Sequence, residues 1–241
     1  MAVVKEVLEA IKLLGDGVKS MEAIVTACGD GKKYLMNRHP DVAADLAAMC
    51  VEIQKTLLAM ATASSVVTNF RFTIAGEAVA TEPRRFNQAF IAHKPVEAEF
   101  RAQINRSRGR CSQIGTHARR MQEKANGTDL SSVFSLLGVP AKERQLDLAR
   151  TLQMVYDDDR MFHDVVDQMT IAVTATFRAV QDALGPSGAM DPARVVVAAK
   201  VLGEHADEFL PIESRCLFLA GELQKVIDAS GVGSPRLEGA S

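Results

Sequence analysis

The sequence predicts an all-α protein, an elongated bundle of about five to seven helices, several of them long. Three observations lead there. Apolar residues recur at alternating steps of three and four through most of the chain, the spacing that keeps one helix face turned to a neighbour. No run of β-branched and aromatic residues alternates with polar ones between turn residues, so strands are not expected. Turn clusters such as Gly185-Pro-Ser-Gly188 separate the periodic stretches.

With 241 residues, 47% hydrophobic and 24% charged, the chain can bury a large core. Trp is absent and Tyr occurs twice, so the core rests on Ala, Val, Leu, Met and Phe, which suits closely approaching helices. A single domain over 1–230 is expected, with a possible subdivision near 126–140 and a flexible tail at 231–241.

Taken in order, the first helix is expected over about 2–28. Val4, Val7, Ile11, Leu14, Val18, Met21, Val25 and Cys28 form its seam, and Gly29-Asp-Gly31 ends it. A second starts near Pro40-Asp41, its seam running from Val42 to Ile74. Thr81-Glu82-Pro83 reads as a stop and a fresh start, because proline is tolerated in a first turn. Lys94-Pro95 opens a further helix with a small, partly polar seam of Phe100, Ile104, Ser107, Cys111, Ile114, Ala118 and Met121. Asn126-Gly127 closes it, and a short helix to Leu137 follows. The longest run is expected from Pro140 to about Leu184. Asp191-Pro192 starts the last helix, an N-cap acid followed by a first-turn proline. Pro211 is expected to kink or split it. Several long helices with a sustained 3.5-residue period imply left-handed supercoiled packing.

Charge is unevenly placed. Residues 84–124 hold ten Lys or Arg against three acids, a net of +7, while 129–213 hold seven against fourteen, a net of −7. The two stretches either pair internally or leave a basic face for a partner or an anionic surface. For the second reading the contact residues are Arg101, Arg106, Arg108, Arg110, Arg119 and Arg120. No aromatic residues interleave the arginines, which argues against nucleic acid.

Asp159 occupies a seam position where an aliphatic residue is expected, with His163 and Asp167 at successive steps of four. These three are candidate metal ligands or an acid–base pair, weighed against a polar residue that fixes helix register. Di-iron bundles need an ExxH motif on each of two helices, and none occurs here. Glu204, His205, Asp207 and Glu208 form a second cluster. Cys28, Cys50, Cys111 and Cys216 fall inside apolar stripes without CxxC spacing, so reduced, packed thiols are expected. No cofactor is expected.

The reading that follows is a non-enzymatic, cytoplasmic helical bundle acting through protein–protein contact, as a scaffold, adaptor or assembly subunit, with self-association or a protein partner. The alternative is a membrane-acting bundle, because the uncharged stretch 56–70 precedes the basic 84–124 region. In that outline the chain resembles the four-helix executioner bundles of the HeLo and mixed-lineage-kinase-like type, a likeness that implies engagement of anionic lipid. The uncharged stretch itself is shorter than a spanning helix. An enzyme with an active site near Asp159 and His163 is the third reading.

Overall fold

The computed structural model describes residues 2–35, 40–74, 82–126, 160–185 and 191–229. Among these residues the chain forms five helices and no strand: α1 (Ala2–Leu35), α2 (Pro40–Ile74), α3 (Pro83–Asn126), α4 (Arg160–Leu184) and α5 (Pro192–Asp228). The protein is all-α. The described seam residues are buried in every helix, from Val7 to Cys28 in α1, Leu46 to Ile74 in α2 and Phe100 to Met121 in α3. The same holds from Phe162 to Val180 in α4 and from Ile212 to Val226 in α5. Burying such a stripe is what holds a long helix in place, since intrinsic propensity alone is marginal.

Helix starts follow local chemistry. Asp191 caps α5, its Oδ1 accepting from the Ala193 backbone N–H at 2.9 Å, which satisfies one orphan donor of the first turn. α3 begins at Pro83 as the sequence indicates. At the end of α4, Gly185 takes φ +80°, and its N–H donates to the Gln181 carbonyl at 3.0 Å. Only glycine adopts that left-handed cap without cost.

Three expected boundaries are not boundaries. α1 continues through Gly29 and Gly31 to Leu35, because glycine costs a helix interior only about 1 kcal/mol and Val25 and Cys28 are already packed. α3 runs through Pro95 unbroken. Buried Phe86 and Phe90 before it, and Phe100 and Ile104 after it, anchor both halves against the roughly 3 kcal/mol that an interior proline costs. Pro211 does not split α5. It lies exposed on the outer face while Phe209 and Ile212 are buried on either side, so the carbonyl it leaves without a partner faces water. Of the run expected from 140 to 184, only α4 falls within the described residues; the short helix to Leu137 and the tail at 231–241 lie outside them, as does the possible subdivision beyond Asn126.

The helices pack into two compact units. The first comprises Met1–Val18, Leu58–Ser107 and Asp164–Leu217. Its centre is aromatic: Phe70 lies against Phe86, Phe90, His93 and Phe177 with ring centroids 6.3, 5.9, 4.5 and 5.8 Å away. The His93 ring is held from its other side, its Nε2–H donating to the Val66 carbonyl at 3.0 Å. Thr68 Oγ1 donates to the Glu213 carboxylate at 2.9 Å, and Arg71 pairs with Asp207, tying α2 to α5. α1 approaches α4 closely at Gly17, where a Cβ would stand 2.6 Å from Val165 Cγ2. Glycine is what permits that approach.

The second unit comprises Lys19–Leu57, Arg108–His163 and Phe218–Ser241. Met21, Ile24, Met49, Ile53, Ile114, Phe162 and Leu223 fill it. Gln54 Nε2 donates to the Ala220 carbonyl at 3.1 Å and to Gln224 Oε1 at 2.7 Å. Arg110 reaches back to donate to the Lys55 carbonyl at 3.3 Å. Both are side-chain bridges between helices that no seam pattern announces.

Candidate functional site

Among the described residues, α5 carries more exposed large apolar side chains than any other helix. Val195, Ala198, Leu202, Ala206, Phe209, Ile212 and Cys216 are buried. On the opposite side Val196, Leu210 and Leu217 are 54%, 45% and 51% exposed. They stand fourteen and seven residues apart, and Gly203, with open space where a Cβ would lie, occupies the remaining heptad position. Val197 widens the row at its start. Positions one heptad apart share a face, so these residues form a second apolar row, outside the core.

The six arginines singled out from the sequence all lie on α3. Arg101, Arg106, Arg108, Arg119 and Arg120 are exposed, and Arg110 is half-buried against Lys55. Arg106 Nε donates to the Ala102 carbonyl at 3.3 Å within the helix, while Arg101, Arg108 and Arg119 each engage a partner group. α3 therefore presents a basic exterior over a buried seam of small residues, Ser107, Cys111 and Ala118.

Of the candidate metal set, Asp159 lies outside the described residues. His163 is half-buried, its Nε2 3.5 Å from Ser112 Oγ, a longer separation than a nucleophile and its base require. Asp167 already engages a partner group. Among the described residues no group of three or more His, Cys, Asp or Glu is placed to hold a metal ion. The second cluster separates across the helix: Glu204 faces Lys200 at 3.9 Å and Asp207 pairs with Arg71, whereas His205 is fully buried.

One pairing escaped the sequence reading. His117, isolated in sequence, sits with Nδ1 3.6 Å from Oδ1 of the buried Asp45 on α2. A carboxylate–imidazole pair of this kind orients a general base in hydrolases. Here the carboxylate contacts His117 while the hydroxyl of Ser112 contacts His163, so no single histidine joins both. Cys28 and Cys216 are chemically quiet as well. Cys50 hydrogen-bonds Cys28, and this contact with burial raises the Cys28 thiol well above its usual value. Burial, with the Glu213 carboxylate nearby, pushes Cys216 up to about 12. Protonated buried thiols are poor nucleophiles.

By length and composition alone, Ala43–Ile74 is sufficient to cross a membrane. It is longer than the uncharged run 56–70 suggests, because isolated charges such as Glu52 and Lys55 stand among many apolar residues. Of its most apolar stretch, 61% is buried inside the protein. No known protein family, characterised protein or solved structure matches the chain.

Proposed function

We propose that this chain is an assembly subunit, a cytoplasmic helical bundle that works by protein–protein contact and joins a second copy of itself through the outer row of α5. The observation that supports it is the exposure of Val196, Leu210 and Leu217 at heptad spacing. Such a row matches another of its kind in a shallow, supercoiled helix crossing. Each aliphatic side chain moved fully out of water contributes about 1.5–3 kcal/mol, and a two-fold contact counts each residue twice. Gly203, between Val196 and Leu210, and Ser214, between Leu210 and Leu217, let the two backbones come close. Sedimentation velocity over a concentration series tests the reading: a dimer or larger species is expected, and a monomer at every concentration contradicts it.

A second reading is favoured by α2. Its outward residues Leu58, Thr62, Ser65, Asn69 and Phe72 carry no charge, and Leu58 and Phe72 are 42% and 66% exposed. A membrane-acting bundle turns such a face to lipid, with the α3 arginines meeting anionic headgroups. Co-sedimentation with phosphatidylserine vesicles that is lost in Phe72→Asp would favour this reading over assembly.

A further inference from the structure

We propose that Cys28 on α1 and Cys50 on α2 form a redox-sensitive pair, which a hydroperoxide converts into a disulfide that ties the two helices together within the second unit. The two side chains hydrogen-bond each other, both are fully buried, and both belong to the second unit.

The helix seams bring them together. Cys28 continues the buried row of Met21, Ile24 and Val25 on α1, and Cys50 lies between buried Met49 and Ile53 on α2. A thiol at such a position ordinarily packs against carbon, as a small apolar side chain. Here sulfur meets sulfur across successive helices. A disulfide requires a specific placement of both Cβ atoms and a bond of about 2 Å, and closure starts from side chains already in contact. Among the described residues no group of three or more His, Cys, Asp or Glu is placed to hold a metal ion. The pair therefore lacks the further donors of a closed thiolate metal site.

The chemistry needs one two-electron oxidant. A thiolate of the pair attacks one oxygen of hydrogen peroxide, the O–O bond breaks, and a sulfenic acid and water result. The second thiol then attacks the sulfenic sulfur. The S–S bond forms, the S–O bond breaks, and the oxygen leaves as a second water with the thiol proton. Two thiols lose two hydrogens, and one peroxide becomes two waters. Burial, which keeps the Cys28 thiol protonated, makes the first step slow, so it proceeds during local opening of the helix pair. Closing the pair again sets the second thiol on the sulfenic sulfur. In a reducing compartment such a bond is transient and returns to thiols by exchange with a dithiol.

Treatment of the full chain with hydrogen peroxide, followed by blocking of free thiols in denaturant and peptide mass mapping, tests this directly. One internal disulfide is expected, between Cys28 and Cys50, and dithiothreitol should reverse it. Because the bond fits the folded state and restrains the unfolded one, the oxidised chain should keep its helicity and melt about 5 °C higher than the reduced chain. In Cys50→Ala, with folding verified by circular dichroism, the same treatment should leave the melting temperature where it was. Absence of the bond, pairing of either cysteine with Cys111 or Cys216, or linkage between copies would overturn the proposal. So would a Cys28–Cys50 bond that leaves the melting temperature unchanged or lowers it, because that bond would have formed in the unfolded chain and not from the folded contact.

Discussion

α4 and α5 follow the same apolar period but use it differently. In α4 the large apolar residues Phe162, Val165, Val166, Met169, Val173, Phe177, Val180 and Leu184 are all buried, and of its large hydrophobics only Ile171 is strongly exposed. α5 buries a comparable stripe and also exposes Val196, Val197, Leu210, Leu217 and Phe218. Folding accounts for every large apolar residue of that α4 stripe. It accounts for one side of α5, and a row of aliphatic side chains that folding does not use is available for contact.

The sharpest contrast lies within α5 itself, at two adjacent residues. Phe209→Ala should cost about 3–5 kcal/mol, because it empties a fully buried aromatic position. Leu210→Ala, measured on the monomeric species, should fall within about 0.5 kcal/mol of the parent. Urea unfolding midpoints give both values. A loss above about 1.5 kcal/mol for Leu210→Ala would mean that the outer row belongs to the fold after all.

On the α4 side, Gly17→Leu should cost about 1–3 kcal/mol, because new side-chain atoms meet Val165 where the two backbones approach. Adding Val165→Ala should recover part of that loss. Additive costs in the double-mutant cycle would show that α4 is not clamped at this point.

The inner side of α5 should also reveal itself through pH. His205 is fully buried, and among the described residues neither ring nitrogen has a hydrogen-bond partner. Burial lowers its pKa, opposed in part by Glu204. The unfolded chain therefore takes up a proton that the native state resists. Stability is complete above the unfolded value of about 6.5 and is lost as pH falls below it. His205→Phe should flatten the difference in unfolding midpoint between pH 7.5 and 5.5. An equally steep dependence in the variant would place the responsible group elsewhere.

The smallest effect extends the comparison to α3, whose seam carries Ser107, Cys111 and Ala118 where α2 carries Leu57, Met60 and Val67. Smaller side chains bury less apolar area, and Gly109 and Gly115 add backbone entropy to the unfolded state. Hydrogen exchange should be less protected at 105–116 than at 42–60. Equal protection would mean that Ile104, Ile114 and the neighbouring helices hold α3 as firmly as α2.

Much of this fold was legible in the sequence, because helix seams are a one-dimensional signal. The spacing of Val7, Ile11, Leu14 and Val18 states which face is buried before any neighbour is known. Punctuation proved less reliable. Gly29, Pro95 and Pro211 each carry a local cost of a few kcal/mol at most, and burial of residues on either side outweighs it. The surface was the least legible part. The α3 arginines were visible as a charge run, but the outer row of α5 was not: nothing in the sequence separates Val196, Leu210 and Leu217, which are exposed, from Phe209, which is buried. The Asp45–His117 contact joins residues on different helices, which no spacing rule connects.

Assembly through the outer row requires that α5 of one copy meet α5 of another. Ser214 lies exposed between Leu210 and Leu217, and the native cysteines Cys28, Cys50, Cys111 and Cys216 are buried, so a nitroxide attached to Ser214→Cys reports on that face alone. Pulsed dipolar spectroscopy on this singly labelled chain should show coupling between copies, and the coupling should vanish when Leu210 and Leu217 are both replaced by lysine in a chain that still folds. Coupling that persists in the lysine variant, or none in the parent at concentrations where it is dimeric, would contradict assembly through the outer row of α5.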